Sequence, residues 1–150
     1  MRRILTLMVA TAVVAVAAAF AANLASASAT RANLELRKTK VGTILVNSRG
    51  FTVYAFTRDS RDKDDCASIP NCLRLWPAVG TSGQAIAGPG VNSRLIGTIT
   101  LKGGLKQVTY DGRPLYTYKG DTGPAETFYV NFFQFGGYWP AVNAAGKEVK

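Results

Sequence analysis

Tyr54-Ala-Phe-Thr-Arg-Asp59 has a counterpart in Tyr116-Thr-Tyr-Lys-Gly-Asp121, and both read Tyr-x-aromatic-x-x-Asp. A matching frame precedes each: Gly50-Phe-Thr-Val-Tyr54 and Gly112-Arg-Pro-Leu-Tyr116. Trp-Pro-Ala-Val follows each, 17 residues after Asp59 (Trp76 to Val79) and 18 after Asp121 (Trp139 to Val142). The chain therefore carries a duplicated unit of about sixty residues, at the long end of the periods that mark repeats.

Working outward, Phe51 to Thr57 alternates at strand spacing, with Thr52, Tyr54 and Phe56 on one face and Phe51, Val53 and Ala55 on the other. Both faces are largely apolar, which predicts a strand covered on both sides and paired in a hairpin with Val41 to Val46. Leu95 to Leu101 and Leu105 to Tyr110 flank a Lys102-Gly-Gly104 turn. Asp111-Gly112 is a two-residue hairpin signal leading into Arg113 to Tyr118. Pro114 lacks an N–H, so that strand begins beside it or lies at an edge. Thr127 to Phe133 and Tyr138 to Val142 read as further strands, with a break at Gly136-Gly137 and a last turn at Gly146. Leu73 to Trp76 reads as one helical turn. The expected fold is all-β, mostly antiparallel, with two related repeats (about 41–94 and 95–150) sharing one core in a single domain, 41–150, after an N-terminal helical signal segment.

Before the repeats, Arg2-Arg3, an uncharged run from Ile4 to Ala22 and the small-residue stretch to Ala29 form the three parts of a secretory signal peptide over 1–29. Cleavage is expected after Ala27 or Ala29. The alternative is a retained anchor, since the run is long enough to span a bilayer, but its Ala-rich composition weighs against that. Residues 30–40 read as a linker or a leading edge strand. The signal segment predicts a secreted or cell-envelope protein, and with no Cys near the cleavage region it is expected to carry no lipid on an N-terminal Cys.

Losing Arg2 and Arg3 takes 18 basic residues to 16 against 9 acidic, a net of +7 on the mature chain. Such a charge is drawn to anionic cell-wall or membrane-surface components. Export and the scattering of Lys and Arg argue against nucleic acid as a partner, and an equal alternative is that the charge simply keeps a small secreted domain soluble. Cys66 and Cys72, in an oxidising compartment and with no His in the chain, read as a disulfide that closes one short loop.

The repeated rings, Tyr54, Phe56, Tyr116 and Tyr118, have two readings. They form a stacking platform for a flat ligand or sugar with Asp59 and Asp121 as polar anchors, or they are core with each Asp capping its loop. Duplication favours core, because a residue kept in both halves holds the halves together. Trp76 and Trp139 are read the same way. Asp62, Asp64 and Asp65, with Asp59, are the sole metal candidates. The calcium-loop pattern fails, with Leu73 where a twelfth-position Glu belongs, and Arg58, Arg61 and Lys63 interleave; no metal and no cofactor are expected. Ser-His and Cys-His nucleophile systems are impossible without His or a free thiol, and covalent haem lacks its motif. Asp59 and Asp121 are equivalent positions with nothing to set them apart as acid and base. No catalytic residue is expected, and the chain reads as a non-enzyme.

The paired motifs, Cys66 to Cys72 followed by Leu73-Arg-Leu-Trp76-Pro77, and Gln107-Val-Thr-Tyr-Asp-Gly-Arg-Pro-Leu-Tyr116 resemble the bacterial secreted-repeat family of predicted lipoproteins, known by Tyr-x-[Phe/Trp/Tyr]-x-x-Asp. The resemblance spans roughly Val41 to Val142 and implies an exported envelope protein and a β-rich repeat; it brings no established activity. The chain departs from it in lacking a lipidated Cys and in its longer Cys-x5-Cys loop. The function expected is a non-catalytic exported module that binds cell-wall glycan or anionic envelope polymer. The alternative is an accessory protein in envelope redox or metal handling.

Overall fold

The computed structural model describes residues 33–150, so the expected signal peptide over 1–29 lies outside the described residues. Apolar β-branched runs separated by turn residues give an antiparallel β fold. Strands β1 (Leu34–Thr39) and β2 (Gly42–Asn47) form a hairpin in register from Leu34↔Asn47 to Thr39↔Gly42. The 30–40 stretch is thus strand rather than linker where it is described. Leu34 is fully buried, and its carbonyl accepts from Gly88 N at 2.7 Å.

The far side of β2 carries the segment 51–57, through Val46↔Thr52 and a Val53 N–H to Leu45 O bond. Asn47 shapes the turn between them, its Oδ1 accepting from the N–H groups of Arg49 and Phe51. After the charged loop comes the Cys66–Cys72 disulfide, then a single turn of helix, α1 (Cys72–Leu75), and the short β3 (Gly80–Thr81). Strands β4 (Ile96–Thr100), β5 (Lys106–Tyr110) and β6 (Arg113–Pro114) follow. In their sheet β5 pairs with β4 on one edge and with β3 and β6 on the other. Asp111 and Gly112 sit at φ 50° and 72°, the double positive φ that a two-residue hairpin needs. The chain ends in two more hairpins, β7 (Phe132–Gln134) with β8 (Gly137–Trp139), and β9 (Ala141–Val142) with β10 (Glu148–Val149).

Four expected strands differ in detail. Thr127 to Phe133 is not one strand: Asn131 takes φ 62°, residues 128–131 turn, and extension begins only at Phe132. Phe51–Thr57 is extended but bonded through isolated bridges, and Arg113–Tyr118 is laddered only over β6, with an isolated bridge at Tyr116 beyond it. Tyr138–Val142 is split between β8 and β9 at Pro140. The last three share a cause. Ala55 N–H donates to Pro140 O and Thr117 N–H to Pro77 O, and a proline has no N–H to return. Ladders stop at each Trp-Pro.

The interior that both repeats share falls into two clusters. Val53, Ala55, Leu115, Val79 and Val142 belong to an aliphatic one, with Leu34, Leu45, Val108 and Tyr110. Tyr54, Phe56, Tyr116, both tryptophans and the disulfide form an aromatic one. The segment 51–57 lies between them and feeds alternate side chains to each, as period-two spacing requires.

Candidate functional site

The two repeats meet at their equivalent tyrosines. Tyr54 N–H donates to Tyr116 O at 2.8 Å, and Tyr116 N–H returns to Tyr54 O at 2.9 Å. Each phenol then crosses to the other repeat's acid. Tyr116 Oη donates to Asp59 Oδ2 at 2.7 Å, and Tyr54 Oη donates to Asp121 Oδ2 at 3.0 Å. The motif is a reciprocal clasp, in which each half supplies a donor to the acceptor of its twin.

Between the tyrosines the indoles of Trp76 and Trp139 stack at 3.9 Å with 6° between planes. Within each repeat Tyr and Trp meet edge-on, Tyr54–Trp76 and Tyr116–Trp139 both at 5.2 Å. Across repeats Phe56 stacks on Trp139 at 4.1 Å, and Tyr118 lies tilted by 31° on Trp76 at 4.2 Å. Gln134 closes the column, its Oε1 accepting from Trp76 Nε1 at 2.7 Å and its backbone O from Trp139 Nε1 at 3.1 Å. Tyr54, Tyr116, Trp76 and Trp139 are fully buried and Phe56 nearly so. They are core, and no platform is open to solvent there.

Burial sets the electrostatics. It pushes the Asp59 carboxyl up to about 7, against the Tyr116 hydrogen bond and the Asp65 N–H that favour the anion. It pushes Asp121 up to about 6, against Tyr54. Burial and the facing carboxylates drive both phenols far above their ordinary range, so they stay protonated donors. Asp64 is raised by burial as well. Its Oδ1 accepts from Ala67 N–H, while its Oδ2 has no hydrogen-bond partner among the described residues. Asp62 is exposed beside Arg61, and Asp65 pairs with Lys63 at 2.6 Å. The acidic loop therefore does not assemble Asp62, Asp64 and Asp65 into a ligand set, and among the described residues no three potential metal ligands gather.

The family described as a secreted repeat of unknown function matches residues 35–80 and again 97–143. The chain belongs to that family. Each match contains one Tyr-x-aromatic-x-x-Asp motif, so the secreted repeat is the unit that the clasp joins in pairs. No curated protein and no solved structure matches the chain. Among the described residues of this secreted-repeat protein, no helix is long and apolar enough to cross a membrane.

Each end of the clasp opens on a cavity. At the Asp121 end it holds about 450 Å³ and is lined by Asn47, Arg49, Phe51, Tyr118 and Lys119, among others. At the Asp59 end it holds about 240 Å³, between Phe56, Arg61, Asp111 and Arg113. The cations of the smaller cavity are neutralised: Arg61 faces Asp111 at 3.8 Å, and Arg113 pairs with Glu148 at 3.2 Å. Those of the larger are free. Arg49 and Lys119 make no ion pair among the described residues, and Arg49 lies over the Phe51 ring at 5.4 Å.

The structure thus gathers all six motif rings, sets Asp59 and Asp121 at separate cavities, and leaves the acidic loop dispersed. Sequence reasoning passed over Gln134, Arg49 and Lys119. Arg49 lies in the turn between β2 and the segment 51–57, and Lys119 sits at a variable position of the repeated motif, equivalent to Thr57. A signal for both would have been that turn and motif end fall at one joint, which only the tertiary pairing reveals.

Proposed function

We propose that this protein is a non-catalytic exported module that binds an anionic glycan of the cell envelope in the cavity at the Asp121 end of the clasp. One observation carries the reading: a cavity of about 450 Å³ lined by the Phe51 ring, by Asn47 and by Arg49 and Lys119, which make no ion pair among the described residues. That volume falls in the range of about 300–1,000 Å³ usual for small-ligand sites. Arg49 and Lys119 match carboxylate or phosphate groups, Phe51 offers a face to a sugar ring, and Asn47 is placed for hydroxyls. Asp59 and Asp121 open on different cavities, so they do not form a facing acid–base pair across one substrate. The net positive charge of the chain draws an anionic polymer toward the site.

The test is retention of the purified protein on a cell-wall fraction at low ionic strength, where screening is weakest. The double variant Arg49→Ser/Lys119→Ser is expected to bind about tenfold more weakly, since two exposed ionic contacts each contribute up to about 1 kcal/mol. Both side chains are exposed, so folding is preserved. Equal retention of variant and wild type, or no retention of either, would sink the reading.

A further inference from the structure

Phe128-Tyr-Val-Asn-Phe-Phe-Gln-Phe-Gly-Gly-Tyr138 is the segment whose exposure neither the clasp nor the cavity explains. The large apolar side chains left most exposed are Leu105, Phe128, Phe132, Phe133 and Tyr138, and four of these five fall in that segment. Phe128 is 73% exposed and Phe133 57%. Single exposed apolar residues are ordinary on a soluble domain, but a cluster of this kind marks an interaction surface. On the β7–β8 hairpin, Phe133 and Tyr138 pair directly with their rings 5.0 Å apart, turned away from buried Trp139. The hairpin is pinned to the body by Thr57 N–H to Tyr138 O and Tyr138 N–H to Thr57 Oγ1 bonds.

Cations flank these rings. Arg58 donates to Phe135 O at the hairpin turn at 2.7 Å, and Lys40 lies 5.0 Å from the centre of the Phe128 ring. Lys38 lines the same shallow cleft as Phe128. None of the three makes an ion pair among the described residues. The acid in that cleft, Glu126, is turned to Thr122, accepting from its N–H at 2.7 Å and its Oγ1 at 2.9 Å.

We infer that residues 128–138, with Lys38, Lys40 and Arg58, dock the domain on an anionic lipid surface. Phenylalanine has no polar handle and gains by entering the acyl boundary, while Lys and Arg beside it reach lipid phosphates. A sugar would call for polar partners beside the rings. A second copy would bring the same three cations against themselves, so charge complementarity selects an anionic partner. This surface is separate from the cavity at Arg49 and Lys119.

Flotation of the purified protein with vesicles tests it, comparing phosphatidylcholine containing phosphatidylglycerol with phosphatidylcholine alone. The protein should float with the anionic vesicles, less so as salt rises. Phe128→Ser/Phe133→Ser should lower the bound fraction about tenfold or more, through the lost transfer of two rings. Lys38→Gln/Lys40→Gln/Arg58→Gln should lower it comparably. Arg49→Ser/Lys119→Ser should bind as wild type does, so failure of the glycan reading and failure of this one are told apart. Should a serine variant unfold, Phe133→Trp supplies a second readout: its emission should shift to the blue on anionic vesicles. The inference is overturned by no binding at low salt, by equal binding to neutral vesicles, or by serine variants that fold and bind normally. A lipid-free dimer that the same serine changes dissociate would overturn it in favour of a second copy.

Discussion

Replacing Tyr116 by Phe removes one oxygen and leaves the ring, still edge-on to Trp139 at 5.2 Å. What is lost is the 2.7 Å bond to Asp59, whose other oxygen keeps only the Asp65 N–H. Above pH 7 Asp59 is ionised, and losing a hydrogen bond to a charged group costs about 1.5–3 kcal/mol. For a domain of this size that lowers Tm by about 5–15 °C. Below about pH 6, where Asp59 with its value of about 7 is protonated, the bond is between neutral groups and the loss shrinks to about 0.5–1.5 kcal/mol. Because the phenol favours the anion, Tyr116→Phe also moves Asp59 further up. Urea unfolding of wild type and variant, at one pH near 8.5 and one near 5, measures both quantities. A loss under about 0.5 kcal/mol at the higher pH, or equal losses at both, would refute the clasp as an energetic feature.

The matching change Tyr54→Phe should show the same pH-dependent loss, with its crossover lower because Asp121 sits at about 6. In the wild type both carboxyls are harder to ionise folded than unfolded, so between about pH 4 and 7 the folded state holds protons that the unfolded chain has released. Stability is therefore expected to be greatest near pH 4, to fall as pH rises to about 7 and then to level, as a series of Tm measurements would show. Gln134→Leu strands the Trp76 N–H inside the aromatic cluster and should cost about 1–3 kcal/mol, read by denaturant midpoint. Replacing Cys66 and Cys72 by Ser should cost near the low end of about 2–4 kcal/mol, since the loop is short, and leave retention on cell-wall material unchanged.

Much of the fold was legible because local chemistry decides it. Asp111-Gly112 makes the β5–β6 turn, and the alternation at 51–57 does divide Val53 and Ala55 from Tyr54 and Phe56 between two clusters. The clasp was legible only in part. Spacing places Tyr54 and Asp59 in one motif, yet Tyr54 bonds Asp121 and Tyr116 bonds Asp59. An exchange of partners between repeats leaves no mark in either repeat alone. Thr127–Phe133 misled for a different reason. Its aromatics have high β propensity, but Asn131 in the left-handed region turns the chain and several rings face solvent. The cavity was invisible because Arg49 and Lys119 come together only when the repeats pair.

The duplicated rings hold the repeats together, and the glycan site proposed above is the cavity at Arg49 and Lys119. Backbone amide shifts of ¹⁵N-labelled protein, titrated with a hexuronic-acid oligosaccharide and with its neutral counterpart, test it most directly. Saturable shifts are expected at the cavity lining, in Asn47–Phe51, Ala78–Gly80 and Thr117–Asp121, produced by the acidic sugar and not by the neutral one. Shifts centred elsewhere, or none at low salt, would contradict it.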